Sequence, residues 1–72
     1  MKVENLVNMA NDIGDYFAAE PDRAQAVEGV TSHIRRFWDP RMRKQIVAYY
    51  QAGGDELKPL VKDAIARLAA NA

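Results

Sequence analysis

His33-Ile34-Arg35-Arg36-Phe37-Trp38-Asp39-Pro40-Arg41-Met42-Arg43-Lys44 is the stretch on which the architecture turns. A residue before proline is pushed out of helical angles. Aspartate suits the cap of a helix and proline its first position. Asp39-Pro40 therefore ends one helix and opens the next, with a single-residue corner between them. Upstream, Val27, Val30, Ile34, Phe37 and Trp38 recur at helical spacing. Arg35 and Arg36 lie in the last turn of that segment, where the helix dipole favours cations. Downstream, Met42, Ile46, Tyr49 and Tyr50 make a further stripe, with Val47 beside it.

The same period continues outward on both sides. Val3, Leu6, Val7, Ala10, Ile13, Gly14 and Phe17 form a first apolar stripe, and Glu4, Asn5, Asn8, Asn11, Asp12 and Asp15 fill the opposite face. A glycine on the stripe weakens the helix by about 1 kcal/mol relative to alanine, so Gly14 predicts the close approach of another helix. Pro21 ends this helix or serves as the first residue of the next, with Glu20 and Asp22 at the positive end of the dipole. Toward the C-terminus, Gly53-Gly54 closes the third helix by supplying left-handed angles, and Asp55 is the next plausible cap. Leu57, Leu60, Val61, Ala64, Ile65, Leu68 and Ala69 form the last stripe, on a helix that starts at Glu56 or at Pro59. The pattern predicts one all-α domain over residues 1–72, a bundle of four helices of about 12–17 residues joined by tight corners, with no strand.

Ten basic side chains balance ten acidic ones across 72 residues. The balance is uneven along the chain. Residues 1–30 carry two bases against six acids, residues 31–50 carry five bases against one acid, and the remainder is even. A neutral protein exerts no long-range pull on nucleic acid or an anionic membrane, although a local basic cluster still recognises an acidic surface. With no cysteine there is neither a disulfide nor a thiolate metal site. The 23 large apolar residues support a small core, which excludes a self-contained two-layer enzyme and predicts a helical chain that is only weakly stable alone. No signal-peptide-like apolar segment and no membrane-spanning run is present, so a cytoplasmic protein is expected.

Chemistry concentrates in one place. Arg35 and Arg36 are explained by the helix end they occupy. Arg41, Arg43 and Lys44 instead load cations onto a helix N-terminus, an unfavourable placement by about 0.3–1 kcal/mol per charge that Asp39 offsets only once. Guanidinium forks beside free helix N–H groups suit carboxylates or phosphates. Three uses fit: contact with acidic groups of a partner protein, a solvated or internally paired face, and phosphate or nucleic-acid binding. The first is the reading adopted, with Arg35, Arg36, Trp38, Arg41, Arg43 and Lys44 as the partner-binding residues. Trp38 beside Phe37 could anchor a partner, while the competing reading places both rings in the core at the corner. Tyr49 and Tyr50 project about 100° apart, so one packs and the other reaches the surface. His33, the only histidine, has neither companion ligands nor a nucleophile at workable spacing. No glycine-rich phosphate loop, serine elbow or convergent carboxylate pair occurs, and Asp12 and Asp15 share a face that reads as solvated. No catalytic, cofactor-binding or metal-binding residue is therefore expected.

Asn5-Leu6-Val7-Asn8-Met9-Ala10-Asn11 followed by Ile13-Gly14, then Pro21-Asp22-Arg23, the run from His33 to Arg43, and Gly53-Gly54 with Pro59-Leu60-Val61 resemble one small family. It is the delta subunit of soluble NAD-dependent, molybdenum- or tungsten-containing formate dehydrogenase. The resemblance covers roughly residues 3–68, and Phe37-Trp38-Asp39-Pro40-Arg41-Met42-Arg43 is its most specific part. It implies a non-catalytic accessory subunit of a cytoplasmic, heteromeric bacterial enzyme. In such complexes the alpha subunit carries bis-molybdopterin guanine dinucleotide and iron–sulfur clusters, and other subunits carry FMN, NAD and further clusters, leaving none for this chain. The implied role is to bind and stabilise the alpha subunit or to help assemble it. A rival of another class is a helix-turn-helix-like nucleic-acid binder with the third helix as reader. Against it stand the zero net charge and a corner shorter than the usual three- to four-residue turn.

Overall fold

A computed structural model describes residues 2–71, folded as four helices: α1 (Val3–Phe17), α2 (Arg23–Phe37), α3 (Pro40–Gln51) and α4 (Pro59–Ala70). No strand occurs among the described residues. The all-α bundle with short corners is the architecture the periodicity predicts. Its centre is α4, which buries Leu60, Val61, Ala64, Ile65 and Leu68 and packs against each of the other helices. The broadest interface joins α4 to α2, whose buried stripe runs through Ala26, Val27, Val30, Thr31 and Ile34. Leu6, Val7, Ala10 and Gly14 supply the α1 side of the core. Only Ile46 of α3 is fully buried, and Met42, Val47, Tyr49 and Tyr50 pack around it half-covered. Both tyrosines thus pack against the core, where the offset of about 100° predicts only one. The hydroxyl of Tyr49 accepts a 3.3 Å hydrogen bond from the Glu56 N–H.

The predicted close approach occurs at Gly14. A Cβ there would lie 2.4 Å from Cγ2 of Val61. A second approach, which the apolar pattern does not reveal, sets Gly29 against the ring of Phe17, also at 2.4 Å from a virtual Cβ.

The helix ends follow local stereochemistry with three departures from expectation. Asp22, rather than Pro21, opens α2. Its carboxylate accepts from the N–H groups of Ala24 (3.0 Å) and Gln25 (3.4 Å), and Pro21 stands outside the helix. The corner between α2 and α3 holds two residues, not one. Trp38 and Asp39 are both extended, and Asp39 caps α3 by accepting from Met42 N–H at 3.0 Å, with Pro40 in the first turn. At the end of α3, Gly54 N–H donates to the Tyr49 carbonyl and Gly53 N–H to that of Tyr50, the paired bonds that positive-φ residues permit. Asp55 caps nothing. Instead α4 starts at Pro59, and the strand of chain before it is held by Asn11 of α1. The Asn11 amide donates to Glu56 O (2.9 Å) and accepts from Lys58 N–H (3.0 Å).

Phe37 is a further correction. It is 69% exposed, whereas Trp38 is 4% exposed and belongs to the core. Adjacent helical positions point about 100° apart, so a single stripe centred on Ile34 cannot take both rings. Trp38 takes the core side, and Phe37 lies against His33 at the margin, with ring centroids 4.8 Å apart and the planes tilted by 43°.

Candidate functional site

Where α2 meets α3, unsatisfied carbonyls at the end of one helix face the first turn of the next. Arg43 lies one turn into α3 and folds back across the corner. Its Nη1 donates to the carbonyls of Trp38 and of Arg35, the latter at 3.3 Å. Its charge therefore sits at the negative end of α2, which offsets its unfavourable place on α3. Arg43 thus has internal partners within the protein, where the sequence pattern suggested only Asp39. Trp38 lies beneath the corner, inside the core.

The other four cations stay outside. Arg35, Arg36, Arg41 and Lys44 are exposed. Among the described residues none of them forms an ion pair. Arg36 lies over the exposed Phe37 ring, 5.9 Å from its centroid. Elsewhere the helices are cross-linked by charge: Arg23 with Asp63 (2.8 Å), Lys58 with Asp15 (2.7 Å) and Arg67 with Glu28 (2.7 Å). Lys58 and Arg67 meet acids of α1 and α2, and Asp63 of α4 meets Arg23, whereas the single carboxylate of the basic middle, Asp39, is engaged in capping α3. Each of these exposed pairs contributes under about 1 kcal/mol; their significance here is where they direct the charge.

The corner opens onto a groove of about 470 Å³ between α3 and the end of α4. Arg35, Arg43 and Lys44 line it together with Pro40, Val47, Ala48, Gln51, Leu68 and Asn71. A shallower depression lined by Asp39, Pro40, Arg41 and Lys44 adjoins it through Pro40 and Lys44. The apolar members of the groove were not singled out from sequence. The available signal was Val47, an apolar residue beside the main α3 stripe. Tyr16, 77% exposed and off the apolar stripe of α1, borders a separate hollow on α1 and α2 with Ile13, Phe17 and His33.

Among the described residues no group of three or more His, Cys, Asp or Glu side chains converges to hold a metal ion. The positive-φ glycines, Gly53 and Gly54, close a helix C-terminus instead of opening a phosphate-binding N-terminus. No helix of the described residues is long and apolar enough to cross a membrane. The nucleic-acid reading gains no support either, since α2 and α3 part at their corner and each packs on α4.

The geometry separates a structural cation from surface cations. Arg43→Ala should lower the unfolding free energy by about 1–2 kcal/mol, the range for losing partly exposed, charge-assisted bonds to carbonyls. Arg41→Ala or Lys44→Ala should change it by under about 0.5 kcal/mol. Urea denaturation of the three variants measures the contrast.

A family model described as NADH-dependant formate dehydrogenase delta subunit FdsD matches residues 5–65 of the chain. No curated protein and no solved structure matches it.

Proposed function

We propose, since the chain belongs to the family of formate dehydrogenase delta subunits, that it is a non-catalytic accessory subunit which binds the catalytic alpha subunit of its complex. Binding stabilises that subunit or promotes its assembly. The observation that carries this reading is the corner: Arg35, Arg36, Arg41 and Lys44 stand exposed with no ion pair among the described residues, and the one carboxylate beside them, Asp39, caps α3, while charges elsewhere pair across the helices. Such cations recognise carboxylates or carbonyls on a partner surface. In this reading the molybdenum or tungsten pterin, the iron–sulfur clusters, FMN and NAD all reside on other subunits, and the complex is a bacterial, cytoplasmic one. The purified chain should accordingly show neither stoichiometric metal nor flavin or iron–sulfur absorption.

The decisive test is Arg41→Ala combined with Lys44→Ala, which spares the internal bonds of Arg43. Cations that pair with buried partner groups cost 2–5 kcal/mol of association when removed, so affinity for the alpha subunit should fall by about 30-fold or more, mainly through faster dissociation. The helical spectrum and the melting curve should not change. Lys58→Ala with Lys62→Ala removes equal charge from the opposite end of the molecule and should leave assembly within about threefold of the parent, the scale of an exposed pair. Unchanged affinity in the corner variant would place the interface elsewhere.

A further inference from the structure

The groove between α3 and α4 has a chemistry of its own. Val47, Ala48 and Leu68 give it apolar walls, and Arg35, Arg43 and Lys44 stand on its border. No acidic residue lines it. An apolar side chain entering the groove would gain burial, and the chain that carries it would pass three cations, none of which forms an ion pair among the described residues. One of those cations is already fixed in place. Both hydrogen bonds of Arg43 use Nη1, which leaves Nη2 for a carboxylate at little further loss of side-chain freedom.

We infer that this groove is the docking channel for a peptide segment of the alpha subunit in which an apolar side chain lies within a few residues of Asp or Glu. The inference rests on the proposed role as an alpha-binding subunit, and it narrows that role to one groove and one ligand chemistry. Charge complementarity selects the acidic character, and the walls select the apolar anchor.

The experiment uses the assembled complex. A photo-crosslinking benzoylphenylalanine is placed at Ala48, an exposed groove residue, and in a second preparation at Arg41, on the adjoining depression. After irradiation the joined peptides are identified by mass spectrometry. The expected result is a crosslink from Ala48 to one alpha-subunit segment containing an acidic residue near an apolar one. A crosslink from Arg41 alone would keep the corner as interface and overturn the groove. Crosslinks from neither position would overturn both. A crosslink from Ala48 to a segment without acid, or to a second copy of this chain, also overturns the docking channel. Ala48→Glu and Ala48→Lys supply an independent reading, because both add bulk at a surface position and differ in charge. The glutamate variant should bind the alpha subunit at least tenfold more weakly than the lysine variant; equal affinities would overturn the acidic character of the ligand.

Discussion

Trp38→Ala should lower the melting temperature of the isolated chain by on the order of 20 °C. Truncating a buried tryptophan costs about 3–5 kcal/mol, the sum of lost burial and the cavity left behind. For a domain of this size each kcal/mol corresponds to roughly 4–8 °C. Total stability at 0.05–0.15 kcal/mol per residue amounts to only about 4–11 kcal/mol, so one residue accounts for much of it. Trp38 is 4% exposed and packs at the end of the α2 stripe beside Ile34 and the core. Its carbonyl remains available to Arg43 in the variant, so the effect isolates the ring. Far-ultraviolet circular dichroism during heating is the measurement. Phe37→Ala, one position earlier and 69% exposed, should shift the melt by no more than a few degrees. Equal shifts for the two would mean that the rings share the core.

Gly14→Leu should be as damaging for the opposite reason. A Cβ alone would come within 2.4 Å of Val61 Cγ2, and Val61 is fully buried. Its β-branched side chain has essentially one rotamer in a helix and cannot turn aside. Alanine at position 14 would gain about 1 kcal/mol of helix propensity and lose about 1–3 kcal/mol to overpacking, for a net loss near 1 kcal/mol. Leucine brings three more carbons into the same space and must push α1 away from α4, costing roughly 3 kcal/mol or more. Gly29→Ala provides the contrast. Its obstacle is the ring of Phe17, which is only half-buried near the end of α1 and can swing outward. That variant should stay within about 1 kcal/mol of the parent, as urea titration would show. A Gly14→Ala protein more stable than the parent would contradict the close approach of α1 and α4.

What could be read from sequence was whatever a short stretch of backbone imposes on itself. The four stripes follow from burying one face of each helix. Asp39-Pro40 and Gly53-Gly54 mark boundaries because proline and glycine restrict or widen the backbone angles wherever they stand. Pro21 misled because Asp22 beside it is the better cap, a choice the two residues settle only in three dimensions. Arg43 misled for a more instructive reason. Its position suggests a conflict only with the dipole of its own helix, whereas its partners lie five residues back at the corner and eight residues back in the last turn of α2. Asn11 looked like one more polar surface residue, since the groups it binds are 45 and 47 residues away. The candidate site was therefore half legible: its cations were found, but the division between a structural Arg43 and its exposed neighbours, and the apolar groove beside them, required the packing of α3 on α4.

The seven-residue connection from Ala52 to Lys58, with its two positive-φ glycines, is the kind of segment at which proteases nick a domain. Asn11 alters that expectation. By gripping the backbone at Glu56 and again at Lys58, one amide on α1 keeps the connection from peeling away to fit a protease cleft. Cutting here requires α1 to let go first, so the nicking rate reports how often α1 detaches. Any subunit that clasps α1 would then shield a peptide bond it never touches.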